Sequence, residues 1–127
     1  MIRGAVTDRL EATIPIHLRA ADNRLVEVQA VIDTGFNGHV ALPASIIERL
    51  ALEPLGQLPA LLGDGRRVVL AVYDATVVWE GAEREVEALH SDAGALVGMA
   101  LLHGSELRIG VRPGGPVSVA LLATERD

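Results

Sequence analysis

The chain has 127 residues, enough for one domain around one hydrophobic core. Half of the residues are apolar but there is only one Trp, one Tyr and one Phe, so the core must be built from Val, Leu, Ile and Ala. A net charge of -6, with eleven bases that are all arginine and scattered, supplies no basic face for nucleic acid or anionic lipid, and the lack of cysteine excludes disulfides, thiol nucleophiles and Cys-ligated zinc.

Acids at Asp8 and Glu11 interrupt the N-terminal segment, and no stretch approaches the roughly 20 apolar residues that span a bilayer. The expectation is a soluble cytoplasmic protein, with residues 1–127 as a single domain. Thr13 to Leu18 reads as the first long strand, Ala21-Asp22-Asn23-Arg24 as a hairpin turn, and Leu25 to Ile32 as the partner strand. In that partner, polar and apolar residues alternate until Ala30-Val31-Ile32, where a continuous apolar run predicts burial on both faces.

Val40-Ala41-Leu42 resumes the sheet, and Pro43 precedes a helix over about Ala44 to Leu50 in which Ser45 and Glu48 have capping-box spacing. Gly56 to Pro59 reads as a connector. The stretch from Leu61 to Val68 is a hairpin with Asp64-Gly65 at its centre, a pair suited to a type I′ turn. A second hairpin, Thr76 to Leu89, turns at Glu80-Gly81. Ala95 to Gly104 reads as a buried strand ending at Gly98 and one helical turn ended by Gly104. Leu107 to Ile109 and Val117 to Leu122 are closing strands around Pro113-Gly114-Gly115. The total is about eight strands and one or two short helices.

The chemistry centres on Asp33. Apolar runs on both sides place it in the interior, where an ionised carboxylate is costly unless it is hydrogen-bonded or paired. Thr34 offers a hydroxyl, and Gly35 permits a tight corner whose amides face the acid. An acid at a strand end also serves ordinary turns.

Three features in order resemble the retropepsin-like, single-domain aspartic peptidases: Asp33-Thr34-Gly35 after an apolar strand, the hairpin at Gly63-Asp64-Gly65, and Leu96-Val97-Gly98 before a short helix. The resemblance spans roughly Thr13 to Leu121. It implies an all-β, closed retropepsin-like barrel with one or two short helices, acting as an aspartic endopeptidase on an extended peptide or protein. It also implies a homodimer, because that family supplies one catalytic aspartate per chain and no second Asp-Thr/Ser-Gly corner occurs here. By resemblance Asp33 is catalytic, Thr34 and Gly35 complete the active-site loop, Gly63, Asp64 and Gly65 form a flap over substrate, and Gly98 leaves room beside the loop. Terminal strands, Val117 to Leu122 among them, are expected in the dimer interface. No metal or organic cofactor is implied.

Phe36 departs from the family's usual small residue and could narrow the cleft or wall it. Arg66 and Arg67 could favour acidic substrates or simply be solvated. Other chemistries fit less well. His17, His39, His90 and His103 lack close ligand spacing, the serines lack a nucleophile-elbow context, and no second acidic cluster supports metal-dependent phosphoryl transfer. The main alternative is the same barrel as a non-catalytic dimeric peptide-binding or interaction module.

Overall fold

A computed structural model describes residues 1–61 and 64–123. It contains β1 (Ile2–Val6), β2 (Ala12–Arg19), β3 (Leu25–Ile32), β4 (Val40–Leu42), α1 (Ala44–Leu50), β5 (Glu53–Leu61), β6 (Arg67–Trp79), β7 (Ala82–His90), β8 (Leu96–Val97), α2 (Met99–Leu102), β9 (Ser105–Ile109) and β10 (Pro116–Leu121). The strands form one sheet in the order β5-β6-β7-β4-β8-β3-β2-β1-β10-β9. A further pairing, His17 with Val78 and Leu18 with Val77, joins β2 to β6 and closes the middle of the sheet into a ring. The expected all-β architecture with two short helices is therefore present.

Period-2 patterning explains the ring. Ile14, Ile16 and Leu18 on β2 and Val26, Val28, Ala30 and Ile32 on β3 point inward with Ala75, Val77 and Trp79 of β6. Burying one large aliphatic side chain contributes about 1.5–3 kcal/mol, so this inward row fixes the strand register against a one-residue slip.

Several local expectations change. β1 escapes notice in the sequence because Gly4 interrupts it. The glycine is required there, since a Cβ would run into the Thr13 carbonyl of β2. β5 occupies the stretch expected to be a connector; as an edge strand it tolerates Pro54 and Pro59, and a register shift at Pro54/Gly56 accommodates the break. α1 forms as expected, but Pro43 takes the N-cap and no side-chain cap bond forms, so the Ser45–Glu48 box is not used.

The turn chemistry is also redistributed. The tight two-residue turn is Glu80-Gly81, where both residues have positive φ (51° and 81°) between the paired Trp79 and Ala82. Asp64-Gly65 instead belongs to the longer connection between the paired Leu61 and Arg67, where, among the described residues, Gly65 has positive φ (87°) and Asp64 does not. No helix among the described residues is long and apolar enough to cross a membrane.

Candidate active site

Three strands, β3 and the short β4 and β8, build the platform beneath Asp33. β8 lies between β3 and β4, parallel to the first and antiparallel to the second, so the loop from Asp33 to His39 must arch over the end of β8. Backbone bonds pin both ends of the arch. The Asp33 amide donates to the Val97 carbonyl at 2.9 Å, and the Gly98 amide donates to the His39 carbonyl at 2.9 Å. The first amides of α2, which have no partners within the helix, are satisfied by the loop: Met99 N–H donates to the Phe36 carbonyl at 2.8 Å and Ala100 N–H to that of Gly38 at 3.1 Å.

Inside the arch, Asp33 to Phe36 form a turn closed by the Phe36 amide on the Asp33 carbonyl at 3.1 Å. The Gly35 amide donates to Asp33 Oδ1 at 3.0 Å, which orients the carboxylate. Gly35 does not need positive φ; a Cβ there would sit 3.3 Å from that oxygen. Among the described residues the Thr34 hydroxyl makes no hydrogen bond within the chain, although the sequence offered it as a partner for Asp33.

Burial differs from the expectation of an interior acid. Asp33 is half-buried, and Thr34 and Gly35 are exposed. The flanking apolar runs bury the strands, while the crossing of β8 pushes the corner to the surface. Beside the corner lies an open hollow of about 290 Å³ whose walls include Thr34, Leu10, Ile109 and Val111.

Gly98 sits with extended backbone (φ -104°, ψ 177°), so its requirement is spatial and not conformational. A Cβ at this position would collide with the Gly38 carbonyl oxygen and approach Phe36 Cδ2 to 2.6 Å and the Phe36 carbonyl oxygen to 2.7 Å. A Cβ at Gly38 would lie 2.6 Å from Phe36 Cε1 and Cζ. The Phe36 ring thus fills the space that side chains at both glycines would take, and it packs against its own loop. Sequence reasoning missed this trio, because only the insertion of β8 brings residue 98 beside residues 36 and 38.

Of the expected flap residues, Asp64 and Gly65 lie in the exposed connection between β5 and β6, and Gly63 lies outside the described residues. Asp64 is engaged locally: its Oδ1 accepts from the Arg66 amide at 3.0 Å and its Oδ2 from Arg66 Nε at 2.7 Å. Those bonds, the backbone one first, hold its carboxyl below the ordinary 3.8. Arg66 is correspondingly tied to its own loop. Leu55, Leu58, Leu61 and Val69 leave the β5–β6 arm with exposed apolar side chains. Among the described residues no group of three or more His, Asp or Glu side chains could hold a metal ion.

No family model matches the chain, and no curated protein matches it in sequence. In fold it is similar to a retropepsin-like aspartic protease from Rickettsia conorii, at 17% identity and a TM-score of 0.54, over 95% of this chain and 90% of that one. With a strand ring, an arched Asp-Thr-Gly loop over a crossing strand, and that full-length likeness, the chain has the retropepsin-like fold.

Proposed function

We propose that the protein is an aspartic endopeptidase that works as a homodimer, with Asp33 of each copy forming a carboxylate pair across a two-fold axis. The observation that carries this reading is the surface presentation of a half-buried, amide-oriented Asp33 on an arch whose Thr34 and Gly35 are exposed. A lone chain holds half of such a site. A second copy would cover the corner and bring the other acid.

Two carboxylates a few ångströms apart do not both ionise readily, so the pair holds one proton over a wide pH range. The ionised member draws a proton from a shared water as that water attacks the scissile carbonyl carbon. The protonated member donates a hydrogen bond to the carbonyl oxygen, and the proton taken from water is passed to the leaving nitrogen as the C–N bond breaks. This cycle consumes one water and needs no metal or organic cofactor. The Gly35 amide keeps the carboxylate in its plane, and the free Thr34 hydroxyl is available to the opposing corner.

The substrate class is an extended peptide. The β5–β6 arm, with Asp64 and Gly65 near its tip, would act as the flap, adding strand-like hydrogen bonds and apolar contacts from Leu58, Leu61 and Val69. The same exposed arm would also serve a non-catalytic peptide-binding barrel, so the decisive comparison is between the wild type and Asp33→Asn. Asn at this position keeps the acceptor for the Gly35 amide but cannot supply the carboxylate chemistry. New termini in a peptide mixture, read by mass spectrometry, should appear with the wild type and fall by about 10²–10⁴-fold with the variant. Equal cleavage by both proteins would remove the catalytic assignment.

A further inference from the structure

From the sequence, Phe36 stood to narrow the cleft or wall it. In the structure its ring is turned into the arch, toward Gly38 and Gly98. It is also the one apolar side chain between Ile32 and Val40. Thr34, Gly35 and Asn37 are exposed, so the half-buried ring is the arch's single apolar anchor.

Two of the three bonds that place Asp33 run through this turn. Its amide is fixed from below by the Val97 carbonyl, whereas its carbonyl accepts from the Phe36 amide and its Oδ1 from the Gly35 amide. Residue 36 passes the constraint on, because its own carbonyl accepts from Met99 N–H, the first amide of α2. One residue therefore joins the acid to the helix. We propose that Phe36 is a positioning residue for Asp33: its ring holds the arch down on α2 and so fixes the direction in which the carboxylate is presented. This role rests on the peptidase reading above and adds to it a side chain that acts through Asp33 without touching substrate.

The contacts of the ring support the assignment. A Cβ at Gly98 would lie 2.6 Å from Cδ2, and one at Gly38 would lie 2.6 Å from Cε1 and Cζ. Cδ2 and Cε1 are opposite corners of the ring, so the two glycines bracket it across its width. Neither glycine has a side chain to fill the space if the ring is removed. A smaller residue at 36 would leave a void under the arch, into which the Asp33 corner can shift.

Such a shift matters more to this acid than to most. Carboxylates that share a proton must stay within hydrogen-bond reach, and a misplacement of about 1 Å costs about a hundredfold in rate. Binding of an extended peptide would instead draw on the β5–β6 arm, at the far end of the sheet order from β3 and β8. The loss should therefore fall on kcat and not on KM.

The test is steady-state cleavage by Phe36→Leu, Phe36→Ala, Gly38→Ala and the double variant Phe36→Ala/Gly38→Ala, with circular dichroism to confirm folding and amide hydrogen exchange read by NMR. Phe36→Ala should lower kcat about 10–100-fold with KM within about threefold of wild type, and Phe36→Leu should lose less than about tenfold. Gly38→Ala alone should lower kcat, yet in the Phe36→Ala background it should raise kcat about threefold, because the new methyl occupies space the ring has left. Exchange of the residue-36 and Met99 amides should quicken at least about tenfold in Phe36→Ala relative to that of Leu18, which is paired on both sides by β3 and β6. If Phe36→Ala does not fold, Phe36→Leu decides by the same kcat, KM and exchange readings. A change confined to KM would make the ring a wall of the cleft and overturn the proposal, as would an unchanged kcat or a Gly38→Ala effect of one sign in both backgrounds. A wild type that cleaves nothing would overturn the peptidase reading and with it any catalytic use of the ring, while exchange would still report whether the ring holds the arch.

Discussion

Replacing Gly98 by Ala should destabilise the protein far more than the same change at Gly38, although the two glycines flank one ring. Neither has a positive φ, so alanine carries no backbone penalty at either site and the difference is one of space. At Gly38 the new methyl meets only ring carbons of Phe36, and a side chain can rotate aside. At Gly98 it meets the Gly38 and Phe36 carbonyl oxygens as well, which can withdraw only if the arch lifts off α2.

Overpacking of this kind costs about 1–3 kcal/mol, and lifting the arch also loosens the bonds from Gly98, Met99 and Ala100 amides, each contributing about 1 kcal/mol. The expected loss is about 3–5 kcal/mol for Gly98→Ala and about 1 kcal/mol for Gly38→Ala. Urea unfolding at fixed protein concentration, followed through the buried Trp79, measures both. Adding Phe36→Ala should abolish the penalty at Gly38 and leave most of that at Gly98. Equal costs at the two glycines, or full rescue of Gly98→Ala by Phe36→Ala, would refute the reasoning.

Two further outcomes follow from the surface. Asp74 on β6 lies directly opposite Glu53 of β5 and Glu87 of β7, a row of like charges across three strands, so Asp74→Asn should raise stability by about 0.5 kcal/mol at low salt, with the gain shrinking at high salt. Urea midpoints in the two salts measure it, and no gain at low salt would contradict it. Asp64 should titrate below 3.8 by NMR, and because its folded value is depressed, its contribution to loop order is present above that value and lost as pH falls through the lower one. Since the backbone bond from Arg66 is the larger cause, Arg66→Ala should leave the carboxyl still below 3.8. A return to 3.8 in that variant would assign the effect to the guanidinium instead.

The sequence is most legible where one face of a strand is buried. Ile14, Ile16 and Leu18 alternate with half-exposed neighbours, and the period could be read directly. β5 is nearly exposed throughout and carries Pro54, Gly56 and Pro59, so neither period nor propensity marks it as a strand; its pairing with β6 does. β1 is short and broken by Gly4, whose requirement comes from a backbone nine or ten positions along the chain. Turn chemistry misled because Asp-Gly and Glu-Gly differ little in steric demand, and the distance between strand ends decides which becomes the tight turn.

At the site, Asp33-Thr34-Gly35 and Gly98 were visible as residue types, and the structure sets them on one arch. The packing role of Phe36 was not visible, since its neighbours at positions 38 and 98 meet only after β8 inserts.

The sharpest question is whether one site draws its acids from two chains. Wild type and Asp33→Asn should be mixed in varying ratio at constant total concentration, allowed to exchange, and assayed for peptide cleavage. If each site takes one carboxylate from each copy, activity falls as the square of the wild-type fraction, to about a quarter at an equal mixture. Activity falling in simple proportion to that fraction would mean that single chains act alone, and would contradict the account.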